Sequence, residues 1–402
     1  MAKRYDMYRD PVATDAAVQE PQTAVYRTLV EDTPVLRREY DGSFVVSRHA
    51  DVVFINQHPA VLGNGTAGVP MGGEQKLIPL DLDGPDHRKY RRLLDPLFSP
   101  KAKTSQIARL EPVVRALANE LIDTFAAVGR VEAYHAFCVP LPTIIFVDLL
   151  GLPQSDRQFF LDFVHDVIRP DGDTAEEKAA IRAAAPGRMF PYLAQAIAER
   201  RSDPGAYPGL ISGLLEAEVE GHTLDDREVL NILFLLMIAG LDTVAASLSC
   251  LIGWLGRHPA ERRTLVDDPA RMPSAIEELM RYESPVQWGH RLVTEDIELP
   301  SGVKLEAGSL VQALWAAANL DAERFDDPFA VHLDRPANRH IAFASGIHRC
   351  LGSHLARLEL RCGLEEFNRR LGDYRVEDES ALVYSGGTVR AVLNLPLIFT
   401  GE

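Results

Sequence analysis

Cys350 lies in the stretch FASGIHRCLG, residues 343–352, between an Ile-His-Arg run and a Leu-Gly pair. The residues that follow, LGSHLARLELRCGLEEFNRRL, have the period of an amphipathic helix whose first turn begins just past the sulfur. A helix N-terminus and the neighbouring Arg349 both lower a thiol pKa, so this sulfur is placed to be a thiolate. Gly346 and Gly352 permit tight turns and the close approach of a bulky planar group. Four readings are open: a buried cysteine at a helix start, a small-metal site with His348 and His354, a nucleophile with a distant histidine, or an axial ligand to heme iron. The last accounts for the sulfur, the glycines and the basic flank together.

Two other stretches place charge where it is costly. In MIAGLDTVAAS (237–247) an acid interrupts an apolar run, and burying it needs a purpose or solvent access. Gly240 could end one helix and Asp242 cap the next. Alternatively, Gly240 lets the backbone approach a ligand, Thr243 offers its hydroxyl to that ligand or to the carbonyl one turn back, and Asp242 relays protons from water. In EELMRYESPV (277–286), Glu278 and Arg281 are three apart and can pair on one helical face. On a surface such a pair is worth only ~0.2–0.5 kcal/mol.

The elements that must position these groups are mostly helical. SQIARLEPVVRALANELIDTFAAV (105–128) and DDREVLNILFLLMIAG (225–240) repeat apolar residues every three or four positions. Short β-like runs, SFVVSR (43–48), IELPSGVKLEAGSLVQAL (297–314) and the tail VRAVLNLPLIFT, predict a small mixed sheet against a helical body. With 402 residues, 46% hydrophobic, and no internal repeat or long linker, one unit spanning 1–402 is the simplest organisation. Charges of 42 and 58 sum to −16, which argues against general affinity for nucleic acid or an anionic membrane. The start, MAKRYDMYRD, has no apolar signal region, no membrane-length span is evident, and a cytoplasmic location is expected. Cys138, Cys250 and Cys362 read as small buried hydrophobes, too scattered for a disulfide framework.

The run Phe343, Gly346, His348, Cys350, Gly352 resembles the F-x-x-G-x-H-x-C-x-G heme-binding signature of bacterial cytochromes P-450, the heme-thiolate monooxygenases. The chain has Ala344 where the family usually has glycine. Ala239, Gly240, Asp242 and Thr243 are similar to the family's oxygen-binding helix motif, and Glu278 with Arg281 to its E-x-x-R segment. DLDGPDHRKYRR (81–92) resembles the D-x-P-x-H-x-x-x-R stretch, with Gly84 in place of a first proline.

The resemblance implies a mainly α P-450 fold of about a dozen helices with a minor β region. It implies heme b held between 239–243 and 343–352, with Cys350 as axial ligand and Asp242 and Thr243 as proton relay. Propionate partners would be His87, Arg91, Arg291 and His340. Glu278 and Arg281 would be buried, with Ala330 where a third basic residue is usual and His332 or Arg335 as possible substitutes. The pocket would be lined by Leu235, Ala239, Thr243, Val286 and Gln287 and covered by a glycine-rich lid at 62–80. Its expected substrate is a compact apolar molecule such as a terpenoid or small aromatic, oxidised with O2. No flavin or nicotinamide fingerprint is fused to the chain, so a ferredoxin and its reductase are the expected donors, docking on Arg88, Lys89, Arg92, Arg349 and Arg357. A peroxide-driven enzyme and a non-catalytic heme sensor or carrier are the alternatives.

Overall fold

A 32-residue helix, Asp226–Arg257, forms the axis of the protein and is buried on nearly every side through its C-terminal half. Its start is fixed by reciprocal bonds: the Asp225 carboxylate accepts from the Glu228 N–H and the Glu228 carboxylate from the Asp225 N–H, each at 2.8 Å. The helix runs unbroken through Gly240 and Asp242, so the reading of Asp242 as a cap is rejected. By length and composition it could cross a membrane, a span the sequence reading had not identified. Here it is a core helix, packed on most of its surface by other helices and strands.

The computed structural model describes residues 12–13, 19–38, 42–64, 77–102, 105, 107–168, 170–172 and 174–401. Thirteen α-helices occur among them. Helices Pro140–Leu150, Ala175–Ser202, Met272–Glu283 and Ser353–Arg370 pack on the core helix, and Leu110–Asp123 packs on Ser353–Arg370. Of the lid expected at 62–80, residues 65–76 lie outside the described residues.

The β region is small. Its five-stranded sheet has the order Val35–Arg37, Phe44–Val46, Leu310–Ala313, Gly289–Val293, Leu62–Gly63. Leu310–Ala313 runs parallel to Phe44–Val46 and antiparallel to Gly289–Val293. Alternation along Gly289–Val293 turns Arg291 and Val293 inward. Strands Val35–Arg37, Leu62–Gly63, Arg130–Glu132 and Gly289–Val293 lie outside the β-like runs expected from the sequence. The tail supplies Val392–Asn394 and Pro396–Ile398, as expected.

Candidate functional site

The cysteine loop is built by its backbone. Cys350 N–H donates to the Phe343 carbonyl at 3.0 Å, closing the loop just before helix Ser353–Arg370. Gly346 has φ +73°, and a Cβ there would collide with the Asn56 carbonyl oxygen of helix His49–Gln57. Asn56 also ties the loop through Nδ2 to Ser345 Oγ at 3.1 Å. Ala344 adopts φ +56°, the left-handed conformation that explains why glycine is usual there. Gly84 has φ +59°, which proline cannot reach, so that departure follows from the local backbone.

Cys350 has exposed surface while Cys138, Cys250 and Cys362 are buried. It sits in a recess: enclosure by protein raises its pKa, opposed by the Gly352 N–H and by Arg91, Arg357 and Arg349. Phe343 lies under Arg357, whose guanidinium carbon is 4.3 Å from the ring centroid.

The Glu278 carboxylate and Arg281 guanidinium are both fully buried and bonded twice, at 2.8 Å each. The third basic member is Arg335, whose Nε donates to both Glu278 oxygens at 3.0 and 2.9 Å. His332 contributes only its backbone N–H, and its ring turns to Asp327. Burial pushes the Glu278 pKa up, but bonds from Arg281 and Arg335 outweigh it and the carboxyl is held low. Arg281 also donates to the carbonyls of Asn319, Pro328 and Ala330, anchoring the chain that leads into the cysteine loop.

A second polar cluster joins helix Gly84–Phe98, the cysteine loop and strand Gly289–Val293. The His87 and His348 rings lie 4.3 Å apart, and His348 Nε2 is 2.8 Å from Asp83 Oδ1. Burial, then His348 and Arg91, lower the His87 pKa to about 4. Arg91 donates to the Arg349 carbonyl at 2.8 Å and pairs with Asp95. Arg291 is buried among Asn64 Oδ1, the His290 carbonyl and Asn56 Oδ1, with no carboxylate paired to it among the described residues. Burial lowers its pKa to about 10, which Asp83 opposes. The supporting roles of Asn56, Asn64 and Asp83 were not legible in the sequence, although Asn64 falls in the stretch expected as a lid and Asp83 in the 81–92 motif.

Two expected site residues belong elsewhere. His340 has both ring nitrogens engaged: Nε2 lies 3.0 Å from Glu277, and Nδ1 accepts from the Ala342 N–H at 3.2 Å. It thus has no donor left for a propionate. Glu277 also binds Arg357 at 2.6 and 2.7 Å; burial raises its pKa, but Arg357 and His340 outweigh this and hold it at about 2. Gln287 is buried with its side-chain oxygen on the Tyr26 hydroxyl and its nitrogen donating to the Gly387 carbonyl at 2.6 Å, so its amide does not line the pocket.

On the core helix, Ala239 is exposed although Met237 and Leu241 are buried, and Gly240, Asp242 and Thr243 are half-buried. The Thr243 hydroxyl donates to the Ala239 carbonyl at 2.7 Å. Leu235 is buried and Val286 half-buried. A heme fits these donors. A buried guanidinium without a carboxylate, a His87 Nδ1 without a partner and an exposed thiol suit propionates and iron, and Gly352 has open space where a Cβ would be.

A cytochrome P450 family model matches residues 48–371. A cytochrome P450 of Priestia megaterium is 32% identical over 398 residues, covering 93% of this chain and 95% of its own. The erythromycin C-12 hydroxylase of Saccharopolyspora erythraea is 32% identical over 377 residues, covering 92% of each. Among solved structures, a cytochrome P450 from Chondromyces apiculatus has a TM-score of 0.86 at 30% identity, covering 97% of this chain and 98% of that one. The family match spans the core helix, the buried Glu278–Arg281 pair and the cysteine loop: the chain belongs to the cytochrome P450 family of heme-thiolate enzymes.

Proposed function

We propose that the protein is a monooxygenase that uses O2 to hydroxylate, or otherwise oxidise, a small apolar molecule, with Cys350 as sole protein ligand to the heme iron and a separate ferredoxin and reductase as electron source. The heme-thiolate group supplies dioxygen activation and oxygen insertion. Gly352 N–H, Arg91, Arg357 and Arg349 stabilise negative charge on the Cys350 sulfur. His87, Arg91, Arg291 and His348 are the proposed propionate partners, two of them permanent cations.

The observation that carries the reading is the carboxyl–hydroxyl pair Asp242–Thr243 on a partly exposed stretch of an otherwise buried helix. With its proton on the Ala239 carbonyl, Thr243 Oγ1 keeps its lone pairs for a water; rotating that hydroxyl turns the donor toward a reacting oxygen. Asp242 can take protons from solvent and pass them to this position. Reducing one oxygen atom to water consumes two protons, so a relay is required. Leu235, Ala239, Thr243 and Val286 supply a mostly apolar wall, which favours binding by burial of hydrocarbon surface. The hydroxylase among the relatives supports hydroxylation as the reaction type.

The reduced carbon-monoxide complex should show the long-wavelength Soret band of thiolate ligation, and Cys350→Ser should abolish it. With a surrogate ferredoxin system, reductant consumption should depend on substrate. Thr243→Ala should keep heme and substrate binding but divert reductant into peroxide; full coupling of reductant to product in that variant would sink the relay.

A further inference from the structure

Gln287 leaves the pocket wall but occupies a mechanical position next to it. It is 3% exposed, and every polar group it has is used. Its backbone N–H donates to Thr388 O at 2.8 Å, its carbonyl accepts from Ala316 N–H at 3.0 Å, and its side chain bridges Tyr26 Oη and Gly387 O. One residue earlier, Val286 forms an antiparallel bridge with Val389; one earlier still, the Pro285 carbonyl accepts from Arg390 N–H at 2.8 Å. Three consecutive residues therefore clip the 386–389 turn to the segment after helix Met272–Glu283. The turn contains Gly386 and Gly387, the latter at φ +92°; Ser385 ties its base, donating its N–H to the Ala391 carbonyl and its hydroxyl to the Val389 carbonyl, and the clips from 285–287 set where its tip lies.

The far side of the clip is the N-terminal part of the chain. Tyr26 is 2% exposed at the end of the Gln22–Tyr26 segment, whose Gln22 Nε2 donates to the Tyr282 carbonyl at 3.2 Å. A buried amide is costly unless both its ends are bonded, and an apolar side chain could fill the same volume. What the amide adds is direction: a single geometry linking Tyr26 to the turn.

We propose that Gln287, oriented by Tyr26, is a positioning residue that sets the depth of the distal pocket by holding the Gly386–Val389 turn beside Val286, and so selects substrates by size. The inference rests on the proposed reading in which Val286 faces that pocket. Gln287→Glu keeps the acceptor for Tyr26 but loses the donor to Gly387; Tyr26→Phe frees the amide to rotate. Each variant is compared with the wild-type holoprotein by titration with imidazole, which needs little room above the iron, and 4-phenylimidazole, which needs much more.

Both variants should change the 4-phenylimidazole dissociation constant at least threefold, leave that of imidazole unaltered and retain the carbon-monoxide Soret band. A proportional change for both azoles, no change for either, or a lower melting temperature with the same ratio would overturn the proposal. If Gln287→Glu fails to hold heme, the conservative Tyr26→Phe decides alone. A wild-type protein lacking the thiolate Soret band would instead refute the heme-thiolate reading, whereas a normal wild type with an unaltered ratio in the variants refutes the role of Gln287 and leaves that reading standing; Val286→Ala, which should shift the 4-phenylimidazole constant only if Val286 faces the pocket, separates the role of Gln287 from the placement of Val286.

Discussion

Ala344 carries backbone strain inside the cysteine loop. A left-handed conformation costs an L-residue about 1–2 kcal/mol. Glycine removes that cost but gives the unfolded chain freedom worth about 0.4–1 kcal/mol. Ala344→Gly should therefore stabilise the holoprotein by roughly 0.5–1 kcal/mol, read from the thermal or urea midpoint of heme loss. His49 gives a pH dependence. Burial, then Arg324, lower its pKa to about 4 against the opposing Asp321. The unfolded chain binds this proton near 6.5, so stability is full above that pH and falls as the pH drops to 4, at up to ~1.4 kcal/mol per unit. His49→Gln should flatten that slope in urea midpoints measured at pH 7 and 5. At this scale the sequence was legible where a motif fixes both residue type and spacing, as for Cys350 and for Glu278 with Arg281. It was not legible where the partner is far away in the chain. His340 turns to Glu277, 63 residues distant, and Gln287 to Tyr26, 261 residues distant, and neither direction is encoded locally.

The element with most at stake is helix Met272–Glu283, whose Glu278 is shared between Arg281 and Arg335. Removing Arg281 leaves the Asn319 and Pro328 carbonyls without their Arg281 donor, the Ala330 carbonyl with Arg335 alone, and a buried carboxylate with only Arg335 as counter-charge. Arg281→Met should cost about 3–5 kcal/mol and release heme. Arg335→Met, which preserves the inner pair, should cost less, and His332→Ala should stay within about 0.5 kcal/mol because its ring touches only an exposed aspartate. Thermal melts followed by heme absorbance rank the three; equal losses for Arg281 and Arg335 would contradict this division of labour. Helical periodicity located the core helix and the helix after Cys350 because their apolar patterns are long. Strand Gly289–Val293 escaped because its two inward positions are unlike in kind, Arg291 in a polar cluster and Val293 in an apolar core, so it lacks the apolar alternation that marks a strand.

Across the whole molecule the net charge is −16, yet Arg88, Lys89 and Arg349 have no ion-pair partner among the described residues. The expected docking patch is smaller than the sequence implied, since Arg92 pairs with Glu220 and Arg357 is neutralised by Glu277. An acidic ferredoxin should therefore reduce the protein more slowly as salt is added, and Arg349→Glu should slow reduction several-fold at low ionic strength. Stopped-flow rates insensitive to both would remove this face as the docking site. Charge counting could not find these neutralised arginines, because pairing depends on which helices meet. Asn64 extends the same lesson to chain architecture. Its N–H donates to Asp83, its Oδ1 accepts from Arg291 and its Nδ2 donates to the Leu80 carbonyl. One residue thus joins the edge strand Leu62–Gly63, the start of helix Gly84–Phe98 and the strand that carries Arg291, so a change at Asn64 is felt in three separate stretches of the chain at once.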